Sequence, residues 1–403
     1  MPTHPFITRV ILRNYKSIGS CSVDLSPLTY LVGPNGAGKS NFMDALHFVR
    51  DALTNSLDSA LNERGGINEV RRRSGGHPTH FALRIDFVLP GGDDGYYAFG
   101  IGALKNGGYE VQKEKCVIKG VGQGPSFIIE KGKLVGSSEP TFPSVTSDRL
   151  ALVAASGLTA FRPVFDALTA MGFYNLNPKL MRELQKPQDG RLLRPAGENI
   201  ASVIGHLEKA APSKLNLIQE YLHSVVPTVY GVERKSIGPM ETLEFRQDMA
   251  GAKHPWRFLA QNMSDGTLRA LGVLAALLQG NVDYAPTLIG IEEPETALHP
   301  AASAALREAL TQASKTTQVL VTSHSPDLLD DFGIDLNAIL TVVSNAGETQ
   351  IVPLKHTSRE AIEEQLFSAG ELLRMNQLEA DQGSVEQQAK VVQRELFGEE
   401  EPA

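Results

Sequence analysis

The octapeptide GPNGAGKS, residues 33–40, stands directly after the apolar run LTYLV and directly before NFMDALHFVRDAL, and no other stretch restricts the fold as much. It fits G-x-x-x-x-G-K-[ST], a strand-to-helix loop whose backbone N–H groups close around an anion. Gly33, Gly36 and Gly38 let the main chain turn inward, Lys39 reaches the outer phosphates of a nucleotide, and Ser40 offers a hydroxyl to Mg²⁺. The helix that starts near Lys39 adds the positive end of its dipole. Pro34, Asn35, Ala37 and Asn41 complete the nucleotide-binding segment, and Phe42, Leu46, Val49 and Leu53 recur at helical spacing behind it.

The chain has 403 residues, 42% of them hydrophobic, which suffices for a large core in two or three domains or in one core with insertions. No run approaches the roughly 20 apolar residues of a membrane-spanning helix, and MPTHPFITRV lacks a secretion core, so a cytoplasmic location is expected. Cys21 and Cys116 lie far apart without CxxC spacing, and reduced thiols are expected. A net charge of −8 argues against indiscriminate adhesion to nucleic acid and leaves local patches open. Arg71, Arg72, Arg73, Lys113, Lys115, Arg191 and Arg194 are either such contacts or solvated loop charges. The acidic end of the chain, with Glu379, Asp381, Glu386, Glu395, Glu399, Glu400 and Glu401, is either a solvated tail or, through VVQRELF, a short partner-binding helix.

The text divides into four parts. Residues 1–145 carry short strands, the glycine loop and its helix, then an alternating β-rich arm over 80–145 with GGDDG and NGG turns. Residues 146–235 read as a helical and irregular insertion, or lid, with a Pro/Gly-broken centre. Residues 236–360 return to strands, from TLEFRQDM to QVLVTSHSP, alternating with helices as parallel strands do, and 361–403 form a helical tail. The fold class expected is α/β, with a mixed or parallel sheet, an antiparallel arm and a helical insertion.

A phosphate cradle hydrolyses nothing without acids at a strand end. LIGIEE supplies them: Leu288 to Ile291 form a buried strand, and Glu292 and Glu293 follow at its carboxyl end. Adjacent strand residues point to opposite sides, so Glu292 is assigned to the magnesium shell and Glu293 to polarising the attacking water. VLVTSHSPDLLDD places His324 at a second strand mouth, where it can donate to a γ-phosphate or to the water, with Ser325 capping a helix that opens at Pro326. Ser264 caps the helix beginning SDGT, whose Leu268, Leu271, Leu274 and Leu278 share a face. That N-terminus, from Ser264 through Asp265, Gly266 and Thr267, is either an anion site or simply a capped core helix.

In chain order, a Walker A loop (33–40), an SDGT signature (264–267), strand-end acids (292, 293) and a switch histidine (324) resemble the ABC-type AAA ATPases with a P-loop core. ILRNYKSIGSCSVDLSPLTYLVGPNGAGKSN, EEPE-x-x-LHP and TSHSP are similar to the RecF, SMC and OLD branch rather than to transporter cassettes with LSGGQ and DEPTSALD. The resemblance covers roughly residues 5–120 and 240–355. It implies ATP and Mg²⁺ as ligands and a head-to-tail dimer in which Ser264, Asp265, Gly266 and Thr267 meet the nucleotide held by a second subunit. His299 stands where transporter cassettes carry the D-loop Asp, and Gln112 is the candidate Q-loop residue. The stretch between Ser40 and Ser264 is too short and too mixed for an SMC arm, and the text after His324 shows no second acidic cluster of a TOPRIM nuclease.

The expected function is therefore an ATP-hydrolysing switch that controls a nucleic-acid-directed effector, with any nuclease acting in trans, in an anti-phage setting by resemblance alone. The alternative is a RecF-like repair or recombination mediator that binds DNA and uses ATP as a timer. A membrane transport cassette is disfavoured by EEPE and SDGT.

Overall fold

A computed structural model describes residues 5–74, 76, 78–105, 107–120, 124–251, 254–280 and 284–398, and among them the α/β class holds. The chain condenses into two compact units: Met1–Met171 with Ile334–Leu366 and Met375–Ala403, and Gly172–Gly333 with Phe367–Arg374.

In the first unit Leu28–Val32 lies parallel to Ile339–Asn345, which returns as an antiparallel hairpin through Glu348–Pro353. Ala346 and Gly347 at the hairpin tip take the left-handed conformation that a two-residue turn demands. Next in the sheet stand Ile18–Asp24 and Ile7–Tyr15, and then the arm: His80–Val88, Asp94–Ala103, Tyr109–Lys119, Ser126–Glu130 and Lys133–Ser137, a continuous antiparallel meander. SFIIEKGKLV, continuous in the text, breaks into two strands because Lys131 and Gly132 both adopt positive φ and close a hairpin.

The helix Lys39–Thr54 buries Phe42, Leu46, Val49 and Leu53 as its spacing predicts, and also Phe48. Phe48 meets Phe81 edge-on at 5.5 Å, and both meet Tyr15. Each such ring removes on the order of 2 kcal/mol of apolar surface from water. The helix is also held by charge: Asp44 receives Lys16 at 2.6 Å, Arg64 at 2.8 Å and the Tyr15 hydroxyl at 2.7 Å.

The end of the chain corrects one of the two readings of VVQRELF. Helix Gly383–Glu395 folds back on this unit's own sheet, with Val392 and Leu396 buried against Ile11 and Ala82. Its last carbonyls accept from Arg84, at Glu395, and from Lys115, at Phe397. The apolar face that would have served a partner is thus used within the molecule. Glu399, Glu400 and Glu401 lie outside the described residues.

In the second unit, Gly172–Tyr174, Leu288–Glu292 and Gln318–Ser323 run parallel. TLEFRQDM does not join them. As Met240–Gln247 it is the centre of a separate antiparallel sheet between Val229–Ile237 and Trp256–Leu259. Helices Ile200–Ala210 and Pro212–Val225 pack on that sheet, whose central strand buries every residue from Glu241 to Phe245. Helix Asp265–Leu278 is buried nearly all round, which explains its uninterrupted apolar text.

Candidate functional site

The phosphate-loop residues lie in the first unit and the signature, acids and histidine in the second. In the loop, Gly38 has φ 104° and a Cβ there would stand 2.0 Å from Thr349 Oγ1; at Gly33 it would stand 2.0 Å from the Val342 carbonyl oxygen. Gly36 also has positive φ. Only glycine satisfies the backbone here, so these residues are spent on bringing main-chain N–H groups inward. Lys39 is buried, its ammonium donating to the carbonyls of Gly33 at 2.8 Å and Pro34 at 3.1 Å. Ser40 falls in the first helical turn.

A polar chain that sequence reasoning missed braces the loop from beneath. Thr349 Oγ1 donates to the Ala37 carbonyl at 2.8 Å and lies 2.7 Å from Ser17 Oγ, which accepts from Asn41 Nδ2 at 2.6 Å. Asn41, assigned to the nucleotide, thus spends its amide on the brace. Thr349 is separated from the loop by most of the chain, and no local pattern announces it.

In the second unit Glu292 ends its strand opposite Thr322, and Glu293 leaves it with φ 44°. The two acids therefore part through a left-handed backbone step rather than through simple strand alternation, at a cost of roughly 1 kcal/mol for a non-glycine residue. Glu293 N–H donates to the Thr322 carbonyl at 3.0 Å, and Glu293 Oε1 lies 3.2 Å from His324 Nδ1. Both side chains remain partly exposed at the mouths of neighbouring parallel strands. Ser325 does not cap an α-helix: Pro326–Leu329 is a 3₁₀ turn, and Ser323 Oγ accepts the Ser325 N–H at 3.0 Å. That turn is clipped by the segment 367–374, whose Arg374 reaches Asp327 at 2.5 Å and Asp330 at 3.1 Å and whose Ser368 donates to Asp330 at 2.6 Å.

Ser264 caps the signature helix, accepting from Thr267 N–H at 3.1 Å. A Cβ on Gly266 would stand 2.4 Å from the Ala297 carbonyl oxygen, so packing against the backbone after the acids is reason enough for glycine. Asp265 pairs with Arg182 at 2.5 Å. Arg182 comes from the polar insertion, and it also donates to the Met263 carbonyl at 3.0 Å. His299 accepts from Ala301 N–H at 3.2 Å and caps a short 3₁₀ turn.

Most of the proposed nucleic-acid contacts are committed elsewhere. Arg72 pairs with Glu348 at 2.8 Å, Arg73 with Glu69, and Arg71 donates to the Pro78 carbonyl at 2.6 Å. Lys113 pairs with Glu130 at 3.1 Å, Lys115 holds the Phe397 carbonyl, and Arg191 sits over the Tyr284 ring. Arg194 donates its backbone N–H to Asn199 and accepts from the Gly197 N–H through its carbonyl. Gln112 is the extra residue of a bulge in the arm, its side chain lying over Gly102. Both cysteines are buried and free, and burial pushes their thiols up. Beside Cys116, the carboxyl of Glu114 is wholly buried. Burial pushes it up to about 7, against donation from Ala151 N–H, Leu152 N–H and the Tyr97 hydroxyl.

The residues fit a magnesium nucleotide. The loop is a cradle that a Cβ would fill, and a hydroxyl such as that of Ser40 suits a hard cation that takes its other ligands from water and substrate phosphates. Among the described residues no group of three or more His, Cys, Asp and Glu gathers to hold a metal by itself.

A glycine cradle on a strand-to-helix turn, and acids and a histidine on parallel strand ends, are the parts that an ABC-type AAA ATPase uses. Residues 6–90 match the AAA ATPase domain family, and residues 209–330 match the family described as AAA domain, putative AbiEii toxin, type IV TA system. The Old nuclease of Escherichia phage P2 is 24% identical over 340 residues, covering 80% of this chain and 57% of that protein. The chain thus spans little more than half the length of this curated relative. Among solved structures, the SMC head bound to the C-winged helix domain of ScpA aligns at a TM-score of 0.57 and 16% identity, over 88% of this chain and 99% of that one. The Smc head with an extended coiled coil bound to the C-terminal domain of ScpA, from Pyrococcus furiosus, aligns at 0.57 and 14%, over 90% and 99%. Over these stretches the chain is similar to AAA ATPase domains and to the Old nuclease, and it shares its fold with SMC heads.

Proposed function

We propose that the protein hydrolyses ATP with Mg²⁺ and that this turnover switches a head-to-tail dimer controlling a nucleic-acid-directed effector. The observation that carries the catalytic part is the approach of His324 Nδ1 to Glu293 Oε1, 3.2 Å, at adjacent strand ends. A carboxylate there accepts a proton from the attacking water, and an imidazole beside it orients the carboxylate and donates toward the transferred phosphoryl group. Lys39 neutralises the outer phosphates. Ser40 and Glu292 would hold magnesium, which would supply charge to offset that developing during transfer. Ser264 and Gly266 serve the nucleotide of the second subunit.

The relative's printed name, a nuclease, supports an effector that acts on nucleic acid; its supply in trans and the anti-phage setting are part of the proposal. No helix among the described residues is long and apolar enough to cross a membrane. The deciding experiment is phosphate release by wild type and Glu293→Gln. Turnover is expected to fall at least about 100-fold while nucleotide binding persists. Wild-type turnover in the variant would remove Glu293 from this role.

A further inference from the structure

Arg269 lies one turn into the signature helix, and the hydrogen bonds its guanidinium makes among the described residues all go to main chain. Nη2 donates to the carbonyls of both Glu292 and Glu293, each at 3.2 Å, and Nη1 donates to the Leu176 carbonyl at 3.0 Å. Nε is buried without a hydrogen-bond partner. A half-buried cation amid Glu292, Glu293 and Glu295 would ordinarily pair with a carboxylate. Here it grips the backbone at the one place where the acid strand turns left-handed. A left-handed Glu293 persists only if its surroundings over-determine it. The Thr322 carbonyl and hydroxyl hold its N–H from one side, and Arg269 holds its carbonyl from the other.

We infer that Arg269 is a positioning residue that fixes the Glu292–Glu293 turn from the signature helix, so that the carboxylate of Glu293 is presented to His324. The inference rests on the proposed role of Glu293 and deepens it. The helix whose cap is Ser264 would then report its own placement to the catalytic acid through a single planar fork. The segment Leu176–Arg182 belongs to the same linkage. Leu176 takes the third donor of Arg269, and Arg182 holds Asp265 and the Met263 carbonyl at the helix start. Lysine keeps the charge but has no rigid fork to span two adjacent carbonyls and a third.

The test compares the full-length chain with Arg269→Lys, Glu293→Gln and the double variant. Arg269→Lys is expected to melt near the wild-type temperature and to bind a fluorescent ATP analogue within about twofold of wild type. Its kcat should fall at least about tenfold with KM little changed, the mark of an interaction needed only for the chemical step. In the double variant turnover should be no lower than in Glu293→Gln, because both changes disable one device. Arg269→Gln, which keeps two donors, should recover part of the rate if lysine proves unstable. A folded Arg269→Lys protein with wild-type kcat, while Glu293→Gln is inactive, would overturn the inference and leave the role of Glu293 standing. Full turnover in Glu293→Gln would instead sink the catalytic reading. Hydrogen exchange decides the structural part independently of hydrolysis: amides 292–296 should exchange faster in Arg269→Lys, and unchanged protection there would refute the positioning role.

Discussion

Three residues show how far single side chains carry the function. Lys39 is buried against its own loop's carbonyls, so Lys39→Ala removes the charge for the phosphates and the ammonium donor that the Gly33 and Pro34 carbonyls share. Nucleotide affinity should drop at least about tenfold in an equilibrium titration. Gly38→Ala should do the same for a steric reason, since φ 104° and Thr349 both exclude a methyl group. Glu114 bears on stability. Its carboxyl titrates near 7 in the fold and at the usual lower value when unfolded, so between those values the folded state binds the extra proton and stability falls as pH rises. The swing is limited to about 3 kcal/mol. Denaturant midpoints should decline from pH 5.5 to 8.5 in wild type, and Glu114→Gln should flatten that decline whatever its absolute stability. An equally steep decline in the variant would acquit Glu114.

At the scale of elements, what was legible in the sequence was local. The strand, loop and helix at 28–54, the arm and the acid and histidine strands announce themselves through glycines and periodicity within a few residues. What was not legible depends on partners distant in the chain. Thr349 braces the glycine loop, Arg182 steadies the signature and Arg269 grips the acids, and none of the three carries a motif. TLEFRQDM was misplaced because a short apolar run does not say which sheet it joins. The last helix was half-read because an amphipathic stripe does not say whose surface it covers. The brace makes its own prediction: Thr349→Val keeps the shape and deletes the hydroxyl. Leaving the Ala37 carbonyl and Ser17 without it should cost about 1–2 kcal/mol and weaken nucleotide binding in the same titration, with Glu293-dependent chemistry intact once saturated.

For the whole molecule, the proposed dimer yields a complementation test. Ser264→Arg should block the signature and Lys39→Ala the loop, each alone giving little turnover. Mixing them should restore activity, because a mixed head-to-tail pair keeps one intact loop opposite one intact signature. Mixtures no more active than their components would exclude the trans arrangement. Size measurement with ATP should show Glu293→Gln shifted to twice the mass, and the shift should vanish with Ser264→Arg.

The last sixth of the chain is shared unevenly between the two units. Residues 334–366 and 375–403 build the first, yet the few between them belong to the second and clamp the turn after His324 through Arg374 and Ser368. A reading frame cut short after codon 366 would leave every recognised motif in place and still yield a protein whose histidine loop has lost its fastening. Late nonsense alleles of this gene should therefore behave as nulls, and a screen for inactive alleles should recover them there as readily as in the glycine loop.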